Sequence, residues 1–206
     1  MKKLITLLLM VLLTSCKEKK IEIRVDTKKK PAEKIIKPEF NAILDSSSVE
    51  GSILIYDLQK DAYYSNDFDW CEKGFLPAST FKIANSIIAL ETNVIKNDST
   101  LFKWNGEKRR LKSWEQDLIF RDAFHYSCVP CYQEIAREIG VQKMKEYLNK
   151  LNYGKMIVDS TSIDLFWLEG DSKITQFEQI NFLKRLYKSE LPITKSTENI
   201  MKQMVV

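Results

Sequence analysis

The sequence predicts an α+β fold, on three observations. Strand-like text comes early: residues 52–58 and 62–66 read as a hairpin around a Gln59-Lys-Asp turn. Helix-like text follows, beginning with a run at 81–91 that is apolar on most sides and should be buried. Amphipathic segments then recur at 132–139, 141–151 and 177–186, and from 197 onward. Strands first and helices later is the α+β order. With 44% apolar residues and 11% aromatic ones, there is material for a packed core.

The chain opens Met1-Lys2-Lys3 and then runs almost without polarity from 4 to 13. A charged start before a short apolar stretch is a signal segment, too short for an ordinary membrane span. It ends Leu13-Thr14-Ser15-Cys16. Small residues before a cysteine resemble a bacterial lipobox, in which Cys16 is lipidated and becomes the first mature residue. A plain secretory signal with an incidental cysteine is the other reading. Residues 1–16 are thus expected to direct export, to the periplasm or to a lipid-anchored place at the outer membrane. Residues 17–40 form a Lys- and Glu-rich linker with few aromatics, which reads as a solvated tether. Residues 41–206 are left as one domain or two closely packed halves. The net charge is +4, of which Lys2 and Lys3 supply two. That is too mild to argue for nucleic acid.

Past the hairpin and the 81–91 helix lies a polar region with scattered aromatics: Phe102, Trp104, Trp114 and Phe120. The 132–139 helix has Gly140 as its C-cap, and the 141–151 helix stops near Asn152-Tyr-Gly154. The cysteines are Cys16, Cys71, Cys128 and Cys131. Cys128-Val-Pro-Cys131 has redox or zinc spacing, but only Cys71 and His125 could complete a zinc site. No metal is expected. A disulfide or a buried free thiol is expected in an exported protein, and the spacing does not choose between them.

The chemistry concentrates in Phe75-Leu-Pro-Ala-Ser-Thr-Phe-Lys82. Ser79 and Lys82 are three residues apart at the start of an apolar helix, so both face one side, about one turn apart. A serine hydroxyl becomes a good nucleophile only when an adjacent base takes its proton, and lysine is that base only when neutral or chemically modified. Pro77 and Ala78 suit the start of a helix, with the serine in its first turn. The unpaired N–H groups of that turn could face an oxyanion on a group that Ser79 attacks. The bare motif also fits a helix N-terminus with a solvated lysine.

Further segments follow in order. Tyr126-Ser127-Cys128-Val129 contains S-x-V, Asn152-Tyr153-Gly154 precedes a turn, and Phe166-Trp167-Leu168-Glu169-Gly170 comes next. Together with F-L-P-A-S-T-F-K, this set resembles the class D (oxacillinase-type) serine β-lactamases, from about Gly51 to Val206. The resemblance implies the serine β-lactamase/DD-peptidase-like fold: an antiparallel sheet flanked by helices, plus a helical subdomain. It implies hydrolysis of β-lactams, which confers antibiotic resistance, through an acyl-enzyme on Ser79. Lys82 would be N-carboxylated by CO2 to act as general base, and Ser127 would relay a proton to the departing ring nitrogen. Val129, Trp167 and Leu168 would form the carbamate pocket, beside Phe81. No cofactor beyond CO2 or bicarbonate is implied. Partners would be β-lactams and, through the lipid anchor, a membrane. On the residues alone, Trp167 also reads as core, Ser127 as a helix N-cap, and Tyr153-Gly154 as a structural turn.

The chain also departs from that pattern. The family's K-[TS]-G strand does not occur in it, and Lys195-Ser-Thr-Glu opens a helix-like run instead. The expectation is therefore a C-terminally incomplete domain without its last strands, poorly active as written. Lys155 stands where the family usually has Asn. The runner-up is a β-lactam sensor that is acylated without turnover; a cell-wall DD-peptidase and a lipid-anchored scaffold follow. Such sensors tend to carry Asn where this chain has Val129.

Overall fold

A computed structural model describes residues 31–205 of the chain. The expected signal segment, Cys16 and the first part of the expected linker lie outside the described residues. A three-stranded sheet with order β1-β3-β2 is built from β1 (Glu33–Ile36), β2 (Leu54–Asp57) and β3 (Ala62–Ser65). The hairpin is the one expected. β2 and β3 are antiparallel, with Tyr56 opposite Tyr63, and the turn is closed by the backbone N–H groups of Gln59 and Lys60 on the Asp57 carboxylate.

Two expectations need correction. The 33–36 stretch, read as tether, is a strand that pairs parallel with β3. Ile35 and Ile36 supply its β-branched character, and Lys34 lies over the rings of Phe68 and Phe177. The sheet is consequently mixed rather than antiparallel. The connection from β1 to β3 includes α1 (Phe40–Ser46) and β2, long enough to return the chain in the same direction.

The short α2 (Phe68–Cys71) follows the sheet, and a 3-10 turn at Ala78–Thr80 leads into α3 (Phe81–Glu91). α3 is buried at every position but Ile83 and Glu91, as its near-uniform apolarity requires. A two-stranded ribbon of β4 (Leu101–Phe102) and β5 (Leu118–Ile119) precedes α4 (Phe120–His125). α5 (Val129–Ile139) starts three residues earlier than the periodicity suggests, because Pro130 is tolerated in a first turn that needs no N–H partner. Gly140, at φ 76°, lets α5 end and α6 (Val141–Leu151) begin at a single residue. α7 (Gln176–Tyr187) opens with a Thr175/Glu178 capping box and lays Phe177 against Tyr63 of the sheet. α8 (Lys195–Met204) packs on α3 and α7. Among the described residues, no helix is long and apolar enough to cross a membrane.

Two apolar clusters result. The larger surrounds α3 and includes Phe81, Tyr132, Tyr153, Phe166, Trp167 and Phe182. The smaller holds Trp114, Leu118, Ala123, Cys128 and Cys131. The site lies where α5 joins them: Tyr132 belongs to the first, and Val129 packs against the second.

Candidate active site

Ser79 is exposed in the Ala78–Thr80 turn, one step ahead of α3 rather than in its first α-helical turn. The reason is upstream. Ala78 adopts a left-handed conformation, φ 46°, and its N–H donates to the carbonyl of Trp167 at 2.9 Å. A non-glycine residue held there costs about 1–3 kcal/mol and persists only where its surroundings enforce it. Among the described residues the Ser79 backbone N–H has no hydrogen-bond acceptor, so it remains available to an oxyanion.

The floor of this turn is aromatic. Phe81 packs on Trp167 at 5.3 Å, on Phe166 at 4.9 Å and on Tyr153 at 5.7 Å. Tyr153 in turn meets Phe182 edge-on at 4.8 Å and donates its hydroxyl to Gln179 Oε1. Residues 173 and 174 tie three segments together. Ile174 bridges to Phe75 at the start of the serine motif, and Lys173 bridges to Lys155. Lys155 thus contributes backbone pairing while its side chain is exposed, which leaves that side chain free to vary. Gly154, at φ 55°, faces the Lys173 carbonyl so closely that a Cβ would lie 2.7 Å from it.

Lys82 is 4% exposed. Burial brings its pKa down from the usual lysine range to about 8, and among the described residues no neighbouring carboxylate offsets the loss of water. Its Nζ lies 5.8 Å from the centre of the Tyr132 ring. Tyr132 is held against α3 by Ser86 through its hydroxyl, at 2.7 Å, and by Asn85 Nδ2 through its carbonyl. One turn beyond Lys82, the buried Asn85 Oδ1 has no hydrogen-bond partner among the described residues.

Ser127 supplies the opposite wall. It too is left-handed, φ 55°, at the corner between α4 and α5, and its Oγ donates to Ser79 Oγ at 3.2 Å. Trp114 supports the corner by donating its indole N–H to the Tyr126 carbonyl at 2.9 Å. Cys128 caps α5 and is joined to Cys131 by a disulfide, while Cys71 remains a buried thiol, so both forms left open by the spacing occur.

Of the expected residues, Ser127 and Ser79 are in contact, Lys82 is buried three residues beyond Ser79, and Trp167 lies buried in the floor. Val129 and Leu168 line a groove of about 740 Å³, to whose lining Ser79, Lys82 and Ser127 do not contribute. The indoles of Trp104 and Trp114 donate to carbonyls, whereas among the described residues that of Trp167 donates to no group. Tyr132 and Asn85 are absent from the sequence reading. Their signal is faint: Asn85 is three residues after Lys82, and Tyr132 three after Val129, each on the same helix face as the residue it follows.

Residues 13–206 match the model of the penicillin binding protein transpeptidase domain. The chain is 42% identical to β-lactamase OXA-10 of Pseudomonas aeruginosa, over 81% of this chain and 62% of that protein. It is 37% identical to β-lactamase OXA-48 of Klebsiella pneumoniae, over 81% and 63%. The chain thus spans about 62% of the length of the curated relatives it matches. The class D β-lactamase YbXI from Nostoc superposes with a TM-score of 0.76 at 41% identity, covering 79% of this chain and 69% of that one. For the class D enzyme FUS-1 (OXA-85) of Fusobacterium nucleatum the TM-score is 0.78 at 37% identity, covering 83% and 71%. The α+β architecture is that of these enzymes, and the chain belongs to the penicillin-binding transpeptidase domain family and, within it, to the class D β-lactamases.

Proposed function

We propose that this chain carries the nucleophile, the base and the proton relay for opening β-lactams through a Ser79 acyl-enzyme. The observation that carries the reading is the Ser127–Ser79 contact at 3.2 Å, with the desolvated Lys82 a turn away. Ser79 gives its proton to the Lys82 head group, and its Oγ attacks the β-lactam carbonyl. The C–N bond of the ring breaks, Ser127 passes its proton to the departing nitrogen, and the proton held at Lys82 replaces it on Ser127, which leaves Lys82 free to act again as base. Water, deprotonated at Lys82, then attacks the ester carbonyl, the bond from that carbon to Ser79 Oγ breaks, and Ser79 takes its proton back from Lys82.

A carbamate on Lys82, formed from CO2, would supply a base strong enough for both proton transfers. The residues fit such a group. Among the described residues the buried amine has no ion-pair partner and the Trp167 N–H, in the same floor, donates to no group. Val129 and Leu168 would limit the water that reaches it. Export, with a lipid anchor at Cys16, is part of the same proposal and rests on the text of residues 1–16. A sensor acylated without turnover gains no support from the relatives described above, each of which is named a β-lactamase.

Mass spectrometry of the chain after exposure to benzylpenicillin tests the reading. The expected result is an adduct that maps to Ser79, is lost on hydrolysis and is absent from Ser79→Ala. Lys82→Ala should show no turnover. An adduct that maps elsewhere, or one that never clears, would count against it.

A further inference from the structure

The Cys128–Cys131 bond has no part in the chemistry described so far, yet it flanks Val129 and begins at the residue after Ser127. Both sulfurs are buried. The bond spans a sequence separation of 3. Stabilisation by restricting the unfolded chain grows with loop length, so a bond this short contributes little by that route. Its effect is local. It fastens the first turn of α5 to the α4–α5 corner, where Cys128 Sγ also accepts the Cys131 N–H at 3.3 Å.

Besides the disulfide, that corner is held by a few hydrogen bonds, among them the Trp114 indole N–H on the Tyr126 carbonyl. Ser127 is kept left-handed by its N–H on the Phe124 carbonyl and by the Cys128 N–H on the Ala123 carbonyl, at 3.0 and 2.9 Å. The apolar cluster beneath is the smaller of the two.

We propose that the Cys128–Cys131 disulfide is a positioning element of the acylation site: it holds Ser127 in the conformation that keeps its Oγ on Ser79 and keeps Val129 on the groove. This rests on the reading of Ser79 as nucleophile and Ser127 as proton relay. Reduction by a thiol or phosphine adds two electrons and two protons, gives two cysteine thiols, and lets Ser127 relax toward an ordinary negative φ. A displacement of about 1 Å at a reacting group costs on the order of 100-fold. Acylation of Ser79 should therefore fall by about 10- to 100-fold, while noncovalent binding of the β-lactam changes little.

The test compares the full chain, oxidised and phosphine-reduced, in two measurements. The first is amide hydrogen exchange at residues 126–129. The second is the rate of Ser79 acylation by benzylpenicillin, resolved into binding and acylation constants. Reduction should speed exchange at 126–129, leave residues 153–167 unchanged, and lower the acylation constant alone. Cys128→Ala/Cys131→Ala should show the same loss without reductant and no further response to it. Unchanged exchange would overturn the proposal, and so would faster exchange with an unchanged acylation constant. An oxidised chain that forms no Ser79 adduct overturns the β-lactamase reading itself, and the exchange measurement distinguishes that failure from failure of the clamp.

Discussion

The two serines stand 3.2 Å apart, but the walls that present them are built differently. Ser79 rests on the main core, where Phe81 packs against Trp167, Phe166 and Tyr153. Ser127 rests on a small cluster, a Trp114 hydrogen bond and a disulfide. Both walls contain a left-handed non-glycine residue, Ala78 on one and Ser127 on the other. Dispersed apolar packing enforces the first conformation, and a few discrete links enforce the second. The wall that presents Ser79 should therefore fail only when the fold fails, whereas the wall that presents Ser127 can loosen by itself.

Phe81→Ala gives the largest effect. It empties the centre of the aromatic floor and should cost about 3–5 kcal/mol, seen as a lower urea midpoint, with Ser79 reactivity lost in parallel. Retained reactivity in a destabilised protein would break the link between the core and Ser79. Gly154→Ala comes next, since its Cβ would meet the Lys173 carbonyl at 2.7 Å on a residue with φ 55°. A loss of about 3 kcal/mol is expected, measured the same way. Trp114→Phe keeps an aromatic ring, smaller than the indole, but leaves the Tyr126 carbonyl without its donor. It should cost about 1–2 kcal/mol and slow acylation more than its effect on stability would suggest. Equal losses in stability and rate would erase the distinction between the walls.

Burial of Lys82 adds a pH dependence. Lys82 has its folded-state pKa lowered to about 8 by burial, so between about 8 and the unfolded value near 10.5 the folded chain binds fewer protons than the unfolded one. Stability from this group therefore rises with pH across that window. The cost of burying the cation is present in full below pH 8 and gone above about 10.5. In CO2-free buffer, Lys82→Met should flatten that slope and raise the melting temperature at pH 7, since it removes a buried charge. An unchanged slope would place the shift elsewhere.

Much of this was legible in the text. The serine motif carried Ser79, Lys82 and Phe81 together because it is local, and α3 and α6 begin and end where their apolar periodicity does. Trp167 and Leu168 came only with a family resemblance, because a tryptophan in a core has the same local signature as one in a pocket. β1 was missed because a Lys-rich stretch looks solvated until its partner strand and the rings of Phe68 and Phe177 are beside it. Tyr132 and Asn85 were missed because their role arises between two helices separated by about 40 residues of chain. The pairing of Cys128 with Cys131 rather than Cys71 likewise depends on the fold, which brings Cys71 against Ser52 and Ser65 instead.

The central claim is that burial keeps Lys82 neutral enough to serve as the base for Ser79. Carbon-13 NMR of the chain in labelled bicarbonate, taken across pH 6 to 9, tests it most directly. The account predicts a carbamate resonance that strengthens as Lys82 loses its proton near pH 8 at fixed dissolved CO2, and that is absent from Lys82→Met. A chain with no such resonance, or one whose resonance survives Lys82→Met, would contradict it.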